Sequence, residues 1–301
     1  MPRQRIHRAL SRGRNLPLPR TLTGLDPRQP AVDCGVPRVQ FQPMTPAIEQ
    51  RPQTPGRSTL GAISAVSFIV ACVAHEAIGH GGMCLAVGGR IRLLTSVYFS
   101  GTNGGALTDA AGPLMNLVAG AVCWALARGR PQASLSRLFF TLAMAFNFFW
   151  GGGYFIFSAV TNTGDWAFVL RELSLEPAWF WRCLMGALGV VIYARSMRFF
   201  ASTWRPEVPL VWPYLVAGVV ACVSVLFFSG PVLPALREAA QESFVANVGL
   251  LVVAYRRRGR TPAAPSQGVP ADSGLWIAFG ALATVLFFLT LGRGFVSPGH
   301  A

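Results

Sequence analysis

Lysine is absent from this chain of 301 residues; all 26 basic residues are arginine, set against 12 acids. Charge is scarce altogether, at 13% of residues, whereas a soluble globular chain carries about 25%. That shortage excludes an ordinary water-facing surface. No Cys-x-x-C pair occurs among the six cysteines, so neither a cysteine metal site nor a disulfide framework is expected. Cys72, Cys84, Cys123, Cys183 and Cys222 fall in apolar segments and read as small core residues. Histidine is rare too. There are four, and two of them, His7 and His300, lie near the termini.

What is present is apolar. Hydrophobic residues make up 52% of the chain, and mean hydropathy is +0.45. They come in runs of about 20 residues, the length of a membrane-crossing helix. The expected fold is all-α, a polytopic helical membrane protein of about seven transmembrane helices. The segments fall at about 60–87, 106–127, 135–160, 178–194, 210–228, 244–255 (short and weak) and 275–291. The third is expected to be interrupted by Gly151-Gly152-Gly153. The loop 88–105 opens with alternating residues from Ile91 to Phe99, a pattern that suits a strand or hairpin.

Residues 1–57 are rich in arginine and proline. They are expected to be disordered, and they lack the apolar core of a signal peptide. Residues 58–296 form the transmembrane domain, with a metal-site core at 60–170, a Pro/Ala/Gly linker at 259–273 and a tail at 297–301. With seven crossings and the N-terminus cytoplasmic, 20 arginines lie inside and six outside, which satisfies the positive-inside rule. The net charge of +14 therefore points to membrane orientation and contact with lipid, and not to nucleic acid. All-arginine usage suggests a GC-rich genome, hence a bacterial inner (plasma) membrane.

Inside the first apolar segment sits Ala74-His75-Glu76-Ala77-Ile78-Gly79-His80. Ionisable residues at membrane depth are costly and mark functional sites. Imidazole and carboxylate are zinc ligands, and a catalytic zinc keeps one position for water. The usual helical signature is His-Glu-x-x-His, with both histidines on one face and the glutamate as general base. Here the histidines are five apart, about 140° around a regular α-helix. Either a π-bulge brings His75 and His80 together, or Glu76 and His80, four apart, are the ligands. A third ligand must be an acid. Asp165, after the break Asn162-Thr163-Gly164, can turn back into the bundle. Asp109 is the second candidate, although an acid at a helix start is also favoured by the helix dipole.

In order along the chain, His75-Glu76…Gly79-His80, then Ala111-Gly112-Pro113-Leu114-Met115-Asn116, then Gly164-Asp165 resemble the site-2 protease family of intramembrane zinc metalloproteases. The resemblance covers roughly residues 60–170. It departs from that family in the extra residue before His80 and in the absence of proline near Asp165. It implies Zn2+ held by His75, His80 and Asp165, with Glu76 as base and Asn116 near substrate or oxyanion. The implied activity is peptide hydrolysis of a membrane-associated protein or transmembrane helix. The alternative is a non-catalytic transporter or pseudoprotease scaffold that uses the cluster as a proton or metal site; hydrolysis of a lipid amide or ester is a third option. Trp179, Trp181, Trp204, Trp212 and Trp276 are expected at the membrane interface, and Glu238 and Glu242 in solvent.

Overall fold

The computed structural model describes residues 54–205, 207–258 and 272–296. The expectations for residues 1–53, for most of the linker (259–271) and for the 297–301 tail lie outside the described residues. The helices, in order, are α1 (Arg57–Ala86), α2 (Ala106–Arg128), α3 (Leu135–Thr161), α4 (Asp165–Glu172), α5 (Ala178–Thr203), α6 (Val211–Phe227), α7 (Val232–Ala240), α8 (Gly249–Arg257) and α9 (Gly274–Gly292). Among the described residues, five of them (α1, α2, α3, α5 and α9) are long and apolar enough to cross a membrane. This is a helical membrane protein. The expected sixth segment is not one continuous helix, because a π-helical turn, Gln241–Val245, precedes the short α8.

The helices differ in what surrounds them. In its most apolar stretch α1 is 67% buried, whereas α9 is 17% buried. Leu275, Leu282 and Leu286 of α9 are exposed, as are Leu184, Leu188 and Val191 of α5. Contiguous apolar surface of this extent is unfavourable in water and costs nothing against lipid. The polypeptide interior is instead built on α1 and α3, where Phe68, Phe146, Phe149 and Trp150 are fully enclosed.

Local chemistry sets the ends of these helices. The residue before α1, Gly56, offers no side-chain cap. Asp272 takes that role from 213 positions away, accepting from Thr59 N at 3.2 Å and Thr59 Oγ1 at 3.0 Å. That remote cap fastens α9 to α1. Ser134 caps α3 by accepting from Arg137 N. α3 runs unbroken through Gly151-Gly152-Gly153, contrary to the expected interruption. These glycines serve close packing: a Cβ on Gly151 would come within 2.8 Å of Pro113 O, and one on Gly152 within 3.0 Å of Ile192.

The loop after α1 forms the expected hairpin. β1 (Ile91–Leu94) pairs antiparallel with β2 (Phe99–Gly101), and β3 (Phe295–Val296) joins the other edge of β1. Ser96 Oγ meets Ser224 Oγ at 2.9 Å, which seats the hairpin on the end of α6. Trp204 departs from the expected interfacial belt. It is buried, and its indole N–H donates to Val208 O.

Candidate metal centre

The centre of α1 is not α-helical. Ala74–Gly81 is a π-helical stretch, with α-helix before and after it. In a π-turn, backbone hydrogen bonds span five residues, so side chains five apart share a face. The His75 and His80 rings accordingly meet edge to face, with centroids 4.9 Å apart. Gly79 permits the distortion to pack, since a Cβ there would lie 2.7 Å from Ala111 O and Gly112 Cα.

The third group arrives from the end of α3. Asn162 stops that helix in the left-handed conformation, with φ 58°, and Gly164 adds a second positive φ of 78°. The chain reverses, and Asp165 becomes the first residue of α4. Trp166 stacks on Phe155 with centroids 4.3 Å apart, pinning the first turn of α4 to α3. The three candidate ligand atoms converge. His75 Nε2 is 3.2 Å from His80 Nε2, and Asp165 Oδ2 is 3.2 Å from His75 Nε2 and 3.5 Å from His80 Nε2.

The far side of each imidazole decides what faces that point. His80 Nδ1 lies 2.7 Å from Thr108 O; a carbonyl only accepts, so Nδ1 carries the proton. His75 Nδ1 lies 2.6 Å from Asn116 Oδ1. Asn116 Nδ2 donates to Ala71 O at 2.9 Å and to Asn147 Oδ1 at 3.0 Å, which fixes the amide with its oxygen toward the histidine. His75 Nδ1 is therefore also a donor. In a neutral imidazole with Nδ1 protonated, Nε2 presents a bare electron pair, and both Nε2 atoms then face one another and a carboxylate oxygen. Three such pairs at 3.2–3.5 Å repel unless a proton or a metal ion lies among them. Metal bonds of about 2.0–2.1 Å in tetrahedral geometry place donor atoms about 3.3–3.4 Å apart. His75, His80 and Asp165 could hold a metal ion.

Two further observations fit a metal. Gly112 lies against the ligand atoms, where a Cβ would come within 2.3 Å of His80 Nε2 and 2.9 Å of His75 Nε2. Beside the cluster, Glu76 is 2% exposed, and its Oε2 is buried with no hydrogen-bond partner. An unpaired buried carboxylate oxygen is expensive, and a nearby cation or a water bound to one relieves it.

The rings are clamped as well. Phe68 stacks on Trp150, Trp150 stacks on His75 at 5.0 Å, and Phe99 of β2 stacks on His80 at 5.5 Å. A cavity of about 270 Å³ opens over the cluster, lined by the three candidate ligands, Glu76 and residues of the hairpin.

No family model, curated protein or solved structure matches the chain. The resemblance to site-2 proteases rests on the ordered motifs alone.

The remaining sequence candidates fall into place around the centre. Asn116 is fully buried and does not line the cavity. Its amide is committed to His75, Ala71 and Asn147, so its geometry is that of a residue orienting a ligand; the implied contact with substrate or oxyanion does not fit this placement. Asp109 lies in the first turn of α2 at the cavity rim, outside the ligand group. Glu238 and Glu242, expected in solvent, both line the cavity, and Glu242 is 4% exposed. Sequence reasoning missed Glu242, Tyr154 and the backbone carbonyl of Thr108. Only Gly112 carried a signal, as part of the Gly-Pro element.

Proposed function

We propose that this protein is an intramembrane zinc hydrolase, similar in chemistry to site-2 proteases, which cleaves peptide bonds of a membrane-associated substrate. The observation that carries the reading is the meeting of three ligand atoms beside a buried Glu76 whose Oε2 has no hydrogen-bond partner. His75, His80 and Asp165 would hold the zinc; when bound, it supplies a Lewis acid for the scissile carbonyl and lowers the pKa of a water. Glu76 takes the proton from the attacking water and returns it to the departing amine nitrogen. Asn116 and the Thr108 carbonyl hold the two imidazoles in the tautomer that leaves Nε2 free, a service that typically matters 10–100-fold to metal affinity. The aromatic stack on His75 keeps its ring from rotating.

In this reading the chain crosses a bacterial plasma membrane seven times, with α6 and the 232–257 segment completing the count and the N-terminus cytoplasmic. The arginine distribution supports it. The end of the bundle that carries His80, Asp109 and Asp165 then faces away from the cytoplasm. The test is cleavage of a co-expressed single-pass membrane protein bearing an epitope at each end. Wild type produces a fragment cut within or next to its membrane segment, and Glu76→Gln produces none while retaining zinc. Unimpaired cleavage by Glu76→Gln would defeat the mechanism.

A further inference from the structure

Next to the metal cavity lies a second one, of about 520 Å³, within the roughly 300–1,000 Å³ of ligand pockets. α3 forms one wall, and the stretch linking α7 to α8 forms the other. Gly153, Ile156 and Val160 face Val245 and Ala246 across it. Its rim is apolar and open, with Val160 75% exposed and Val245 60% exposed, so in a bilayer it opens on hydrocarbon. The two cavities share Tyr154, Phe157, Glu238 and Glu242 and therefore adjoin. At the junction Tyr154 donates its hydroxyl to Glu242 Oε1 at 3.2 Å, while its ring rests on His75 with centroids 5.0 Å apart.

We propose that this apolar cavity is a substrate subsite. It takes the apolar residues adjoining the cleaved bond of a membrane-embedded peptide segment, and Glu242 at the junction accepts an amide N–H of that segment. The inference rests on the hydrolase reading above. A peptide must leave its helix to present a carbonyl, and each N–H bared in hydrocarbon is costly unless it finds an acceptor. The cavity meets both needs of such a segment, with apolar walls for side chains and a buried carboxylate for the freed N–H. An acyl chain would use the walls but has no donor for the carboxylate. A Cβ on Gly153 would meet its nearest neighbour, Ala246 Cα, at 3.6 Å. A larger side chain there fits the backbone and grows into the cavity.

The test uses zinc-loaded full-length protein in detergent and three probes: acetohydroxamate, an acetyl-dileucyl hydroxamate with a diazirine on one leucine, and a diazirine-bearing octanohydroxamate. The dileucyl probe is expected to bind at least tenfold tighter than acetohydroxamate, and irradiation should label residues 153–160 or 245–248. Gly153→Leu, or Val160→Trp at the exposed rim should the first variant not fold, should remove that gain and leave acetohydroxamate binding unchanged. Glu242→Met should weaken the dileucyl probe and not the octanoyl one. Labelling spread over the lipid-facing helices and indifferent to both cavity variants would overturn the subsite. Tighter binding by the octanoyl probe, insensitive to Glu242→Met, would overturn the peptide assignment in favour of an acyl chain. If acetohydroxamate fails to bind while the dileucyl probe still labels the cavity, the metal reading fails and the subsite stands.

Discussion

The turns Ala74–Gly81 and Gln241–Val245 are both π-helical, and each delivers a glutamate to the metal cavity. Their surroundings differ. The first is held on every side: Gly79 lies against the α2 backbone, Trp150 and Tyr154 lie against His75, and Phe99 lies on His80. The second has Glu242 held by Tyr154 and, three residues on, Val245 exposed at an apolar rim. An over-determined turn can hold electron pairs against one another. A turn beside an open cavity can instead receive a ligand. In the proposed hydrolase, metal binding and proton transfer fall to the first turn and substrate positioning to the second.

The largest contrast is expected between the two glutamates. Glu76→Gln should lower cleavage about 10²–10⁴-fold, the range of general acid–base catalysis, whereas Glu242→Gln should lower it about tenfold. Zinc content by plasma emission spectrometry should stay at the wild-type level in both. Equal losses would erase the division of labour.

Gly112→Ala comes next. Alanine normally favours a helix interior by about 1 kcal/mol over glycine, yet here its Cβ would occupy the space at the ligand nitrogens. We expect more than a hundredfold loss of zinc affinity in competition with a chromogenic chelator, without loss of helical circular dichroism. Unchanged affinity would mean that the metal does not sit against α2.

Asn116→Ala should cost 10–100-fold in zinc affinity, and Asn116→Asp should restore most of it, because a carboxylate also accepts from His75 Nδ1. Failure of the aspartate to rescue would argue that Asn116 acts by packing alone.

The smallest effect is expected from deleting Ile78, which is 53% exposed. Removing one residue from the π-turn yields His-Glu-x-x-His on a regular α-helix, again with both histidines on one face. Zinc affinity should change less than tenfold. Inserting an alanine at the same place should abolish binding.

The comparison also shows what a sequence can disclose. The π-turn in α1 was one of two readings that five-residue histidine spacing allowed, the other being Glu76 and His80 as ligands on a regular helix, and the structure has the π-turn. Asp165 was legible because Asn162 and Gly164 are residues that accept positive φ. The hairpin was visible in its alternation. Glu242 was not, since nothing in Gln241-Glu242-Ser243-Phe244-Val245 distinguishes a π-turn from an ordinary helix start, and its burial depends on α3 arriving from 88 positions earlier in the chain. Gly151-Gly152-Gly153 misled for a related reason. Glycine weakens an isolated helix, but here close approach of α2 and α5 makes the absence of a Cβ an advantage.

His75, His80 and Asp165 are proposed to hold one zinc ion. X-ray absorption at the zinc edge of the purified protein tests it most directly. One zinc per chain is expected, with two imidazole nitrogens and oxygen donors at about 2.0–2.1 Å, and loss of that signal in the His75→Ala/His80→Ala double variant. Absence of stoichiometric zinc, or an unchanged spectrum in the double variant, would contradict it.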